Sequence, residues 1–195
     1  MNYRPICDTW ILARSKVKYY GAYPSGFLHR ARAVLGVGVS DPVLHVCSGK
    51  VRDYPFRGLG PNDKTLDLDP LCEPDFLQDA RQPFPLNICE DATCLTCQDG
   101  NYETGVKGAL WHAVMIDRPY TPDDADHYIP GRDVLPSANQ LVKHAIAVLP
   151  IGGKVGILDY VWPQPPKNAT EQAVITVVTG RNNRARLFTV FERMS

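Results

Sequence analysis

The chain runs apolar through Met115 and Ile116, then turns abruptly to Asp117-Arg118-Pro119-Tyr120 and a polar stretch. An apolar strand ending on a carboxylate, a proline and an aromatic ring brings together an acceptor, a restrained backbone carbonyl and a flat stacking surface. That set suits a planar group bearing an exocyclic amine. On their own, the same residues also describe a strand leaving a core through a turn. Two other clusters hold ligand-type side chains. Cys89, Cys94 and Cys97 form C-x4-C-x2-C within a polar insertion at about residues 86–110. A structural zinc site takes four ligands, so Cys72 or His112 would have to complete it. Reduced packing or surface thiols fit the spacing better, and no metal is expected. Asp123, Asp124, Asp126 and His127 follow Tyr120 closely and read as a flexible acidic loop over the site rather than a metal cluster.

The elements that must position these residues alternate in type. Residues 24–36 read as a helix, with Phe27, Leu28, Ala31, Val34 and Leu35 on one face and Gly36 as its stop. Val43 to Cys47 reads as a buried strand followed by a Ser48-Gly49 turn. Thr65 to Pro70, Asp75 to Asp79 and Ala113 to Ile116 are three more short strands. Ser137 and Gln140 form a capping-box pattern ahead of a second helix, whose apolar face is Leu141, Val142, Ala145, Ile146 and Leu149. Pro150 and Gly152-Gly153 end it. Lys154 to Val161, Ala173 to Thr179 and Arg184 to Phe191 are strands, the last two joined by a Gly180-to-Asn183 turn.

This order implies an α/β fold: a Rossmann-like, seven-stranded, mostly parallel sheet with a C-terminal antiparallel β-hairpin and helices on both faces. Such sheets bind ligands beyond the carboxyl ends of their strands. That edge is where Cys47, Ser48, Gly49, Asp67, Asp79 and Asp117 should project.

Composition sets outer limits. The chain has 195 residues, 44% hydrophobic and 22% charged, which fits a single domain, 1–195. No apolar run approaches the ~20 residues of a membrane span, and a cytoplasmic location is expected. Six cysteines in this length do not make a disulfide scaffold. Formal charge totals zero but is uneven: +6 over residues 1–59, −10 over 60–135 and +4 over 136–195. A neutral total argues against strong non-specific duplex binding, while the polarity leaves room for a directional charged surface.

From about Lys18 to Glu192 the chain resembles the class I S-adenosylmethionine-dependent methyltransferases. Val43-Leu44-His45-Val46-Cys47-Ser48-Gly49 resembles the first strand and its glycine loop. Thr65-Leu66-Asp67-Leu68-Asp69-Pro70 resembles the second strand, whose acid holds the ribose hydroxyls. Gln78-Asp79-Ala80 sits where an acid meets the adenine amine, and Leu149 to Val155 is similar to the turn before strand five. Within the family, Asp117-Arg118-Pro119-Tyr120 resembles the amino-methylating branch acting on adenine N6 or cytosine N4 in DNA. Its motif is Asp/Asn/Ser-Pro-Pro-aromatic. Lys18-Tyr19-Tyr20-Gly21 resembles the segment that touches the methionine end of the cofactor.

The resemblance implies S-adenosylmethionine as cofactor, held by Tyr20, Gly21, His45, Cys47, Ser48, Gly49, Asp67 and Asp79, and a catalytic set of Asp117, Arg118, Pro119 and Tyr120. It implies a nucleic-acid substrate, DNA ahead of RNA, and no membrane. Arg118 replaces a proline of the motif and brings a cation able to bind a phosphate or carboxylate. His45 stands where many relatives carry an acid. Little chain is left for target recognition, so a protein partner is one expectation. RNA, a small molecule or a protein as acceptor, and a non-catalytic methyltransferase-like subunit, are the alternatives.

Overall fold

The computed structural model describes residues 4–15, 22–54, 59–87, 111–128, 135–180 and 184–195. Its strands are β1 (Ile6–Leu12), β2 (Val43–Val46), β3 (Lys64–Asp67), β4 (Phe76–Leu77), β5 (Ala113–Ile116), β6 (Lys154–Asp159), β7 (Ala169–Thr179) and β8 (Ala185–Arg193). Its helices are α1 (Phe27–Leu35), α2 (Pro122–Tyr128) and α3 (Ala138–Ala147). They build one eight-stranded sheet in the order β1-β7-β8-β6-β5-β2-β3-β4.

Every side chain of β2 and β5 is buried, as parallel strands covered on both faces require. Alternation divides them. Val114 and Ile116 pack with Leu141, Val142 and Ile146 of α3, while Ala113 and Met115 pack with Phe27, Leu28 and Leu35 of α1. β8 is antiparallel to both its neighbours, β6 and β7, and slots between them. At this crossing a Cβ built on Gly156 of β6 would lie 2.5 Å from Phe188 of β8, so the missing side chain is the space the phenyl ring occupies.

Three expectations change. The sheet has eight strands rather than seven: Ile6–Leu12 pairs in parallel with β7. This strand is exposed at five of its seven positions, so it lacks the apolar alternation that marks a half-buried strand. Ser137 does precede α3, but its side chain makes no capping bond, and the Gln140 amide instead donates to the Arg81 carbonyl at 3.0 Å. The capping box lies at the acidic segment, which is helical and not a loop. The Thr121 hydroxyl accepts from Asp124 N at 3.1 Å, and the Asp124 carboxylate accepts from Thr121 N at 3.1 Å. Pro122 occupies the first helical position, and Asp123 and Asp124 sit in the first turn, where the helix dipole favours them. Among the described residues no helix is long and apolar enough to cross a membrane.

Candidate active site

A cavity opens at the carboxyl ends of the central strands. Gly49, Asp67, Asp79, Asp117, Pro119 and Tyr23 are among the residues that line it. The edge therefore gathers the loop after β2, the acid of β3, the acid beyond β4 and the acid after β5, as the strand order requires.

The β2–β3 side is organised by backbone. Cys47 and Gly49 both adopt left-handed φ, 54° and 51°. For Cys47 this is a strained conformation of the kind that collects at functional loops. The turn brings Gly49 N to 2.8 Å from Asp67 Oδ2, while Asp69 N donates to Asp67 Oδ1 at 2.9 Å. Burial raises the Asp67 pKa above its ordinary value, opposed by these amide donors. Each Asp67 oxygen thus accepts from backbone amides and keeps lone-pair capacity, which suits a vicinal diol. Asp79 is gripped by its neighbour: Arg81 Nε lies 3.0 Å from both carboxylate oxygens, and Arg81 N donates to Oδ1 at 2.9 Å. Burial pushes the Cys47 thiol well above its usual range, so it stays protonated.

The β5 side is organised by side chains. Asp117 N continues the β2–β5 ladder by donating to Val46 O at 3.2 Å. Burial pushes the Asp117 carboxyl up to about 7; the Arg186 charge and the Tyr120 hydrogen bond oppose the shift, and Asp159 adds to it. The Tyr120 hydroxyl donates to Asp117 Oδ1, and Arg186 Nη1 of β8 donates to that hydroxyl at 3.0 Å. The Arg186 guanidinium also stands 5.9 Å over the Tyr120 ring, and the Tyr160 ring centroid is 4.6 Å from it.

Two assigned residues do different work from that expected. The Arg118 side chain is buried, with Nε donating to Asp159 Oδ2 at 2.7 Å, Nη2 to Oδ1 at 3.3 Å and Nη1 to Pro119 O at 3.0 Å. It is not a free cation for a phosphate or carboxylate. Its fork fastens the loop after β5 to the end of β6, supplying by ion pairing some of the stiffness a second proline would give. Asp159 also accepts from Tyr160 N and Val161 N, at 2.7 and 3.1 Å.

His45 is 1% exposed and does not reach the cavity. It lies within β2, so its ring projects from the face of the sheet rather than over the edge, and Nε2 sits 3.2 Å from Asp63 Oδ2. Asp63 also accepts from Arg32, Val43 N and Gly60 N, making this a buried structural node. Tyr120, half-buried by its partners, does not line the cavity, whereas Pro119 does.

Tyr20 and Gly21, the Cys89/Cys94/Cys97 cluster and the tip of the β7–β8 turn lie outside the described residues. Of the thiol cluster's suggested fourth ligands, Cys72 lines the cavity with its Sγ 3.6 Å from Asp69 Oδ2, and His112 Nδ1 is 3.2 Å from Asp41. Sequence reasoning missed Tyr23 and Arg186. Tyr23 is 2% exposed, stacks on Phe27 at 5.2 Å and lines the cavity, yet its buried hydroxyl has no hydrogen-bond partner among the described residues. Nothing in its sequence setting sets it apart. Arg186 sits on the cavity side only because β8 inserts between β6 and β7.

No protein-family profile matches the chain, and no curated protein does. Solved structures do match in shape. TrmN from Thermus thermophilus superimposes with a TM-score of 0.58 at 15% identity over 88% of this chain, which spans only 49% of that one. The N-methyltransferase NodS from Bradyrhizobium japonicum superimposes with a TM-score of 0.51 at 10% identity, covering 86% of this chain and 94% of that one. Its complex with S-adenosyl-L-homocysteine gives 0.50 at 10% identity and 86% of each. With its single reversed strand and its helices on both faces, the chain has the Rossmann-like methyltransferase fold.

Proposed function

We propose that the chain is an S-adenosylmethionine-dependent methyltransferase whose acceptor is an exocyclic amino nitrogen of a nucleic-acid base. The observation that carries this reading is that Asp117 opens on the same cavity as Gly49, Asp67 and Asp79. The residues fit the cofactor. Asp67 retains acceptor capacity for the ribose hydroxyls, Asp79 offers an acceptor for the adenine amine, and the Cys47-Ser48-Gly49 turn admits a ligand close to its backbone. Tyr23 lines the same cavity, and its buried hydroxyl, without a hydrogen-bond partner among the described residues, is a further donor in this reading. NodS, bound to the demethylated cofactor, supports the same assignment.

Bound there, S-adenosylmethionine supplies an electrophilic methyl. The chain's own work is positioning. One oxygen of Asp117 is held by Tyr120, which leaves the other to accept an amine N–H. The Arg118 carbonyl is the second acceptor in this reading. With both N–H groups engaged, the amine nitrogen is drawn out of conjugation with its ring and its lone pair is freed. Asp117, poised near neutrality, can also hold the proton the nitrogen sheds.

One observation favours a second reading, a small-molecule amine. The Tyr120 ring is packed against Tyr160 and Arg186 and does not face the cavity as a stacking plate. Calorimetric titration with S-adenosylhomocysteine tests the cofactor, and transfer of labelled methyl to DNA, RNA and a panel of amines separates the acceptors. Absence of binding at millimolar cofactor would turn the assignment toward a non-catalytic subunit.

A further inference from the structure

Two arginines approach the Asp117 loop, and their roles have been exchanged relative to sequence order. Arg118, adjacent to the carboxylate, turns away and spends its charge on Asp159. Arg186, from β8, points its Nη1 at the Tyr120 hydroxyl, which passes its own proton toward Asp117 Oδ1. The donor order is therefore guanidinium to phenol to carboxylate. The groups that face Asp117 are Arg186 from β8, Tyr120 from its own loop, Asp159 from β6, Cys47 from the end of β2, and Tyr23 and Tyr54 from the α1 side. Asp159 disfavours a charged Asp117, but its charge is matched by Arg118. Tyr23, Tyr54 and Cys47 all stay neutral because burial raises them. Arg186 is thus the cation in this set whose charge is directed at Asp117.

We propose that Arg186 is a positioning residue for the acceptor site: through the Tyr120 hydroxyl it orients the Asp117 carboxylate and favours its ionised form, so that its free oxygen can take the amine N–H. The inference rests on the reading of Asp117 as the amine acceptor, and it adds that the decisive cation comes from the inserted antiparallel strand. Arg186 contacts Tyr120 rather than the cavity, so cofactor affinity should not depend on it.

The test is the titration of the Asp117 carboxyl, followed by carbon NMR and assigned with Asp117→Asn, in the wild type, Arg186→Met, Arg186→Lys and Tyr120→Phe. Loss of a neighbouring opposite charge raises a carboxyl pKa by about one to three units. Arg186→Met should therefore move the midpoint up by about one pH unit or more, a tenfold change in the ionised fraction below it. Arg186→Lys, which keeps the charge, should move it less, and S-adenosylhomocysteine affinity should stay within about threefold. An unmoved midpoint in Arg186→Met would overturn the inference, whether or not methyl transfer is found. A moved midpoint in a protein that methylates nothing would instead count against the enzymatic reading. Where transfer is measured, the Arg186→Met rate should recover toward wild type as pH rises. A deficit equal at every pH would show a merely structural arginine and also overturn the proposal.

Discussion

The two sides of the cavity are built by different means. On the β2–β3 side, Asp67 is set by the amides of Gly49 and Asp69, on the short turns that follow β2 and β3. On the β5 side, Asp117 is set by Tyr120 and, through it, by Arg186, whose strand is more than sixty residues further along the chain. Backbone donors are fixed once the strands pair. Side-chain charges depend on a distant element arriving in the right place. The first side should tolerate changes elsewhere in the protein, whereas the second should be sensitive to β8 and to the loop lock at Arg118.

The strongest way to break the contrast is Asp117→Ala. Methyl transfer should fall by about 10²-fold or more while S-adenosylhomocysteine affinity stays within a few fold; an active variant would remove the catalytic assignment. Next is Arg118→Ala, which leaves Asp159 buried without its ion-pair partner. Removing one member of such a pair costs about 3 kcal/mol of stability, to be read from urea unfolding; no loss would mean that the Tyr160 and Val161 amides hold Asp159 unaided.

On the other side, Asp67→Ala should weaken cofactor binding by about 1.5–3 kcal/mol through a lost charge-assisted bond. Unchanged affinity in calorimetry would place the ribose elsewhere. The smallest effect sharpens the comparison through pH. Asp117 is raised by burial from 3.8 to about 7, so the folded protein keeps a proton that the unfolded chain releases. Its contribution to stability is complete below 3.8 and is lost as pH rises through about 7. Urea midpoints should follow that decline, and Asp117→Asn should flatten it.

The same contrast explains what could be read from sequence. The β2–β3 side lies in compact segments, so Gly49, Asp67 and Asp79 were legible as strand-end residues and do share a cavity. Asp117 was legible because β5 is an unbroken apolar run that stops there. His45 was misplaced because a motif position does not reveal whether a side chain projects along the strand or from the sheet face. Arg118 was misread because its partner, Asp159, is supplied by β6. Helix α2 was missed because its acids look like solvated loop residues; the reciprocal Thr121–Asp124 bonds that start it are a capping pattern with aspartate in the usual glutamate place. β1 was missed because it is an edge strand with five of seven side chains exposed, which leaves only Trp10 and Leu12 to mark its buried face. Tyr23 and Arg186 carry no local signal, since their positions follow from packing on Phe27 and from the insertion of β8.

Gly156 gives the meeting of β6 and β8 a wider meaning. Because Phe188 fills the space a methyl would need, the hydrogen at that α-carbon works as a spacer gauge for the reversed strand. Two residues before Phe188 along the same strand stands Arg186, so the fit of a buried phenyl ring against a bare α-carbon and the guanidinium at the rim belong to one strand. A side chain at residue 156 would therefore have to move the strand that carries Arg186.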